Sequence, residues 1–320
     1  LQAVKKGKVI NMSKITIVMA SYNGEHYIRD QIDSIIASTY QDFDLFIYDD
    51  GSKDTSLDIL GEYVRNYPDK IHVTQNKVNL GVTRNFLEGI RNSTSDYVML
   101  CDQDDVWKKD KISVTLRRLS KMEEQYGKEL PCAVFTDAEV VNQDLKTLHA
   151  SFFEASHLDP HKTDLNHLLM ENKFIGCTVM INAALRDILK SKPLPKSAKL
   201  HDGWIGLMAA SFGEISFINT ATLLYRQHGG NVVGNLNFTS YIKNRITSLH
   251  KQKETLVVLQ RQAREFCTLY QDYLTDQKYT TVYRFSNLNQ RNILIRRYQI
   301  LRFGYLKTGF IRNIGLLLIV

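Results

Sequence analysis

Asp96-Tyr97-Val98-Met99-Leu100-Cys101-Asp102-Gln103-Asp104-Asp105 runs from an apolar stretch straight into three closely spaced carboxylates. Asp44-Leu45-Phe46-Ile47-Tyr48-Asp49-Asp50-Gly51-Ser52 follows the same plan earlier in the chain. Short apolar runs of this kind, bounded by Asp, Gly and Ser, read as buried strands. Acidic side chains therefore gather at the carboxyl ends of two strands, the edge at which open α/β sheets bind ligands. Carboxylates held together repel one another unless a cation or a donor-rich ligand joins them. A divalent metal with a nucleotide diphosphate meets that need.

The flanking chain supplies the rest of the sheet. Residues 15–20 form a β-branched run, and Ser21-Tyr22-Asn23-Gly24 reads as the turn after it. Ile28, Ile32, Ile35 and Ile36 then recur at helical spacing, as do Leu57, Leu60 and Val64 further on. Residues 71–74 predict a short strand, and Phe86, Leu87 and Ile90 the apolar face of a third helix. Such alternation predicts an α/β protein with a doubly wound, mostly parallel sheet flanked by helices. Beyond Asp105 the pattern predicts a charged helix over 108–126, strands at 133–135, 178–181 and 215–225, and irregular chain with one short helix over 145–172. Past residue 236 the chain reads as mostly helical. The expected division is an extension over 1–13, with Met12 a candidate natural start, a catalytic domain over 14–236 split near 105, and a helical region over 237–320.

The net charge of +7 is unevenly spread. Residues 241–320 hold 14 Lys and Arg against 4 Asp and Glu, leaving 27 against 30 in the remainder. A basic tail suits an anionic surface. Between Arg291 and Val320, Arg296, Arg297, Arg302, Lys307 and Arg312 interleave with Tyr298, Leu301, Phe303 and Phe310 before an apolar end at Leu316-Leu317-Leu318-Ile319. That pattern predicts helices lying in a membrane interface with the charged side outward, since an apolar end has no use on nucleic acid. The closing apolar run is far shorter than the ~20 residues that span a bilayer. Cys101, Cys132, Cys177 and Cys267 are scattered without zinc or disulfide spacing, and no secretory signal is visible. The expected location is the cytoplasm, at the inner face of the cell membrane. Pairing of the tail helices into a homodimer stays open.

Each acidic group also has an ordinary use. Asp49-Asp50-Gly51-Ser52 suits a turn and helix cap, which one carboxylate alone can serve. Asp102, Asp104 and Asp105 suit Mg²⁺ or Mn²⁺, hard cations that bridge carboxylates to phosphates, or else a solvated loop. Asp202 is a candidate general base or a charge at a helix start. His228 is a candidate metal ligand or a structural histidine. Arg84 could meet a diphosphate or lie on a helix surface.

Taken together, these residues resemble the family 2 glycosyltransferases of the GT-A fold. Ala20-Ser21-Tyr22-Asn23-Gly24-Glu25, Asp49-Asp50-Gly51-Ser52, Asp102-Gln103-Asp104 and His201-Asp202 are similar, in order, to that family's nucleotide, metal and base motifs. His201 stands where the family usually has Glu. The resemblance implies that Ala20, Tyr22, Asn23, Glu25, Asp50, Arg84 and Asp102 hold the nucleotide. It implies Asp104 and His228 for the metal and Asp202 as catalytic base. Cys101 to Trp107, Phe174-Ile175-Gly176-Cys177-Thr178 and Tyr225-Arg226-Gln227-His228 with Asn231-Val232-Val233-Gly234 look like the bacterial rhamnosyltransferases of surface-polysaccharide assembly. That likeness implies dTDP-L-rhamnose as donor, a lipid-linked saccharide as acceptor, and Trp107, Gly176, Cys177, His201 and Trp204 on the acceptor or sugar side. A UDP-hexose donor is the alternative.

Two other enzymes share the strand-helix alternation. A nicotinamide-dependent dehydrogenase needs a Gly-rich fingerprint after the first strand, and a nucleotidyltransferase a Gly-rich basic loop there; Ser21 to His26 offers neither. A membrane-surface scaffold without catalysis would tolerate loss of Asp104 and Asp202, which a transferase would not.

Overall fold

The computed structural model describes residues 15–228 and 249–320. The expected extension over 1–13, the motif from Asn231 to Gly234 and the boundary near 236 lie outside those residues.

Strand β1 (Ile15–Ser21) lies between β2 (Phe43–Asp49) and β4 (Tyr97–Cys101), parallel to both, with β3 (Ile71–Gln75) outside β2. Ser21 pairs with Asp49, and Met19 with Cys101, so the carboxyl ends of three strands finish together. Every residue of β4 is buried, which explains its unbroken apolar run. Helices α1 (Ile28–Ile36), α2 (Ser56–Asn66) and α3 (Val82–Asn92) make the crossovers. Ile28, Ile32 and Ile35 face inward from α1, and Phe86, Leu87 and Ile90 from α3. Gly89 lets α3 lie close on the sheet: a Cβ there would stand 2.4 Å from Val18 Cγ1.

The second half is mixed rather than doubly wound. The sheet order is β3-β2-β1-β4-β8-β6-β9-β5, where β5 is Val106–Trp107, β6 Cys132–Asn142, β8 Met180–Asn182 and β9 Glu214–Gln227. β8 runs antiparallel to both β4 and β6, while β9 is parallel to β6. A tight 3-10 turn at Gly176–Thr178 leads into β8. Helix α4 (Lys111–Tyr126) starts later than expected because Trp107 is still in β5. Residues 145–172 hold more structure than expected. A short β7 (Thr147–His149) is followed by α5 (Phe152–Ser156), capped by Ser151, and α6 (Leu165–Met170), capped by Asp164.

α7 (Ala183–Lys190) and α8 (His201–Phe212) complete this part. The tail is helical as expected, with α9 (Leu249–Leu269), α10 (Asp276–Ser286), α11 (Ile293–Phe303) and α12 (Phe310–Ile319). It packs on the rest of the chain. Phe266 of α9 and Tyr270, just past its end, pack against Trp204 of α8, and Lys173 Nζ donates to Thr308 Oγ1 at 2.6 Å. No helix among the described residues is long and apolar enough to cross a membrane.

Candidate active site

The carboxyl ends of β4 and β9 meet. Asp104 Oδ2 lies 2.8 Å from His228 Nε2, and both side chains are largely buried. Asp102, Asp105 and Cys177 each point a ligand atom into a space in which those atoms lie within 4.8 Å of one another. Desolvation pushes the Asp102 carboxyl up to about 7, and the charges of Asp104 and then Asp202 add to the rise. Asp105 is raised well above the usual carboxylate range, first by burial and then by Asp104 and Asp102. Carboxyl groups therefore crowd together where the sequence predicted them, and they tend to keep protons unless a cation joins them; Asp202, a hundred residues further along, acts on the same group. The Asp104 carboxylate and the His228 imidazole are donor types that fit a divalent cation, whereas the neighbouring group of Asp102, Asp105 and Cys177 brings a thiol, a softer ligand.

Arg226 organises this cluster. Its backbone N–H donates to Asp105 Oδ1 at 3.1 Å and its Nε to the Asp104 carbonyl at 2.8 Å. The guanidinium also pairs with Asp30 at 2.7 Å and lies 4.7 Å above the Tyr27 ring, which packs against His228. One nearly buried cation thus fixes both aspartates and the histidine.

Across the strand ends, the nucleotide-side residues form a rigid rim. Gln103 clamps the loop after β1, accepting from Tyr22 N at 2.9 Å and donating to Tyr22 O at 3.0 Å. Tyr22 keeps its ring exposed, and Ala20 sits at the end of β1 beside Tyr48. Asn23 adopts a left-handed conformation (φ 48°) and bonds Ser52 and Lys53 through N and Oδ1. Glu25 accepts from Thr55 N and Oγ1, so it caps the start of α2. Asp49 proves to be the turn residue, accepting from Gly51 N and Ser52 N. Asp50 is buried and accepts from Leu80 N at 2.7 Å, Gly81 N at 2.8 Å and Asn76 Nδ2 at 2.9 Å. A carboxylate offers roughly four acceptor positions, so one remains for a ligand N–H or hydroxyl. Arg84 pairs with Glu88 on α3, and no hydrogen bond or ion pair among the described residues joins it to Asp50 or Asp102.

Asp202 opens α8. Burial raises its carboxyl to about 6, opposed by the Gly203 N–H, the Asn172 side chain and the charge of Lys199. His201 beside it is buried and stacked on Phe86 with ring centroids 3.9 Å apart. Neither of its nitrogens meets a hydrogen-bond partner, and burial lowers its pKa to about 3. Gly176 makes room for this pair: a Cβ there would stand 2.7 Å from His201 Nε2.

Three residues expected on the acceptor side are buried. Trp204 is fully buried between α8 and α9, so its ring offers no face to a sugar. Trp107 is 4% exposed, paired in β5 with Leu223 and approached by the buried Lys111 ammonium at 4.9 Å. Cys177 is fully buried behind Asp102 and Asp105. Sequence reasoning also passed over Gln103, Arg226, Tyr27 and Asn172 as site residues. The polar Gln103 inside the acidic motif was the one available signal.

Parallel strands β1 to β4 joined to a mixed second half, with Asp102 and Asp104 directly after β4 and Asp202 in the first turn of α8, give the GT-A fold of glycosyltransferases. The chain belongs to glycosyl transferase family 2. The profile of that family matches residues 16–147. The dTDP-rhamnosyl transferase RfbG of Shigella flexneri is 30% identical over 238 residues, covering 70% of this chain and 77% of that protein. The putative teichuronic acid biosynthesis glycosyltransferase TuaG of Bacillus subtilis is 28% identical over 256 residues, 77% of this chain and 93% of that one. Among solved structures, the mannosyltransferase PcManGT of Pyrobaculum calidifontis, in complex with GDP-Man and Mn²⁺, superposes with a TM-score of 0.55 at 14% identity. That match covers 96% of this chain and 79% of the mannosyltransferase, and it concerns the fold alone.

Proposed function

We propose that this chain is an inverting glycosyltransferase of bacterial surface-polysaccharide synthesis that moves L-rhamnose from dTDP-L-rhamnose onto a lipid-linked saccharide. The observation that supports the transferase chemistry is that Asp202 packs against Gly176, where a Cβ would stand 3.8 Å from Asp202 Cβ, while the adjacent Cys177 groups with Asp102 and Asp105. The rhamnosyl donor is supported by the likeness to RfbG. A UDP-hexose donor is the second reading.

In this reading the rim formed by Tyr22, the Asp50 carboxylate and Asp102 receives the nucleoside. Asp104 and His228 would hold Mg²⁺ or Mn²⁺, which supplies positive charge opposite the diphosphate oxygens when bound. Asp202 takes the proton of the acceptor hydroxyl. The acceptor oxygen bonds to the anomeric carbon as the bond to the nucleoside diphosphate breaks, inverting that centre. A base raised to about 6 is well matched to neutral pH, being ionised yet able to keep a proton. Asn172 and the Gly203 N–H orient the carboxylate. Attachment to the inner face of the membrane is supported by exposed Leu294, Phe310 and Ile311 on α11 and α12.

The test is a panel of nucleotide sugars assayed for nucleotide diphosphate release with Mg²⁺ or Mn²⁺. Selective turnover of dTDP-L-rhamnose is expected. Preference for a UDP-hexose would replace the donor and leave the transferase.

A further inference from the structure

A cavity of about 490 Å³ lies between α3 and the connection from α7 to α8. Its size falls within the roughly 300–1,000 Å³ of small-molecule sites. Five cations line it, Arg84, Arg91, Lys190, Lys192 and Lys196, with Ser191 between them and no carboxylate in the lining. Pro193 and Leu194 supply an apolar wall. Arg84 pairs with Glu88 at 2.9 Å and Lys192 with the exposed Asp272 at 3.1 Å. Glu265, at the margin, is taken by the backbone N–H groups of Lys196 and Ser197. Arg91, Lys190 and Lys196 form no ion pair among the described residues.

Ordinary surface lysines spread out into solvent. Here cations from two elements converge on one concavity with an apolar wall, and such walls focus the field on whatever enters. The site therefore selects a compact, multiply charged anion, and Arg91 can hold a phosphate by two parallel N–H bonds.

Its position identifies the substrate that would bring the anion. The turn of α3 carrying Arg84 abuts the entry to α8: Thr83 Oγ1 approaches Lys199 O at 3.5 Å, and Phe86 stacks on His201. Asp202 follows directly. The donor's own diphosphate belongs with Asp104 and His228, at the ends of β4 and β9. We propose that the cavity is a second anion site, which takes the phosphate or diphosphate group carried by the acceptor and so sets the acceptor hydroxyl against Asp202. This assignment rests on the transferase reading above; the presence of the site does not.

The experiment compares the wild-type chain with Arg91→Gln/Lys196→Gln, two partly or fully exposed positions, with thermal melts confirming that both are folded. Calorimetric titration with inorganic diphosphate in EDTA, which keeps a metal out of the donor site, should show binding weakened roughly ten-fold or more in the variant, on the scale of two charge-assisted contacts. Affinity for dTDP and UDP should be unchanged. In turnover assays, KM for a diphosphate-linked saccharide should rise by a similar factor, with donor KM constant. KM for the same saccharide on an uncharged alkyl chain should not move. Equal diphosphate binding by both proteins would overturn the site. Loss of flotation with phosphatidylglycerol vesicles, with acceptor KM unchanged, would give the cavity to a lipid headgroup and overturn the acceptor assignment. A wild-type chain that binds diphosphate here but transfers no sugar would refute the transferase reading alone.

Discussion

Asp104 Oδ2 and His228 Nε2 stand 2.8 Å apart although 124 residues separate them in the chain. The contact ties the second half of the sheet to the first, because Asp104 follows β4 and His228 follows β9. It also places a carboxylate and an imidazole within reach of one cation, which would take the position of the proton that Nε2 donates to Asp104.

Treatment with EDTA should therefore abolish nucleotide diphosphate release, and Mn²⁺ or Mg²⁺ should restore it. Asp104→Asn and His228→Ala should each lower kcat by roughly 10²-fold or more, the scale of losing charge stabilisation on a leaving group. Full activity in the chelator would refute the metal assignment.

Asp202→Asn keeps the shape of the side chain and removes the base. Turnover should fall by about 10²–10⁴-fold while nucleotide affinity stays near wild type. The pH profile follows from the raised carboxyl. Asp202 must be ionised to accept a proton, so kcat should climb as pH rises through about 6 and level off above it. A variant that retains turnover, or a wild-type profile flat across that range, would remove Asp202 from the mechanism.

The acidic strand ends were legible because strand polarity alone puts them on one edge. Asp102 and Asp104 needed no knowledge of packing, only an apolar run before them. Asp49 and Asp50 were legible as a pair but not individually. Which of the two turns the chain depends on backbone N–H groups at residues 51–52 and 80–81. The burial of Trp107 and Trp204 was not legible, because an aromatic ring beside a motif suits a sugar or a core equally well. The choice is made by α9 and β9, whose packing no local pattern reveals. Arg226 was missed as a site residue for the same reason, since its ion-pair partner Asp30 lies 196 residues away. The antiparallel β8 was likewise hidden, as a three-residue strand carries no direction in its sequence.

Arg226→Ala should destabilise the fold as well as the site. Asp30 is 52% exposed and regains water when the guanidinium is removed, so the loss falls mainly on the Asp104 and Gln143 carbonyls, each left without its donor at a cost of about 1–3 kcal/mol. Arg226→Lys cannot reproduce the fork that reaches Asp30, Gln143 and Asp104 together. Urea midpoints should fall for both, further for Ala. An unchanged midpoint would show that the guanidinium is dispensable.

His201 gives the fold an acid sensitivity. The folded imidazole stays neutral down to about pH 3, whereas the unfolded one takes a proton near its ordinary 6.5. The unfolded state therefore binds more protons between these values. Stability is fully kept above 6.5 and drops as pH falls, by on the order of 1.4 kcal/mol per unit from this group. His201→Phe, which can keep a stack on Phe86, should lose less stability than wild type between pH 7 and pH 5. Identical losses in urea titrations at the two pH values would show that His201 is not the source.

The tail exposes a different surface from the one its sequence suggests. A charged side was expected to face outward. Instead Arg312 is bound to Glu171, Lys307 to Gln252 and Arg297 to the Leu317 carbonyl. The outward residues are apolar: Leu294 is 73% exposed, Phe310 80% and Ile311 74%. Large apolar side chains this exposed on two successive helices suit a contact with a membrane or a protein. Arg291 and Arg302, both exposed, remain to meet anionic headgroups. Phe310→Ser/Ile311→Ser leaves the Arg312–Glu171 pair and the core untouched, so it should reduce flotation with anionic vesicles without lowering the melting temperature. Unchanged flotation with a shift from dimer to monomer in solution would instead assign the face to a second copy of the chain.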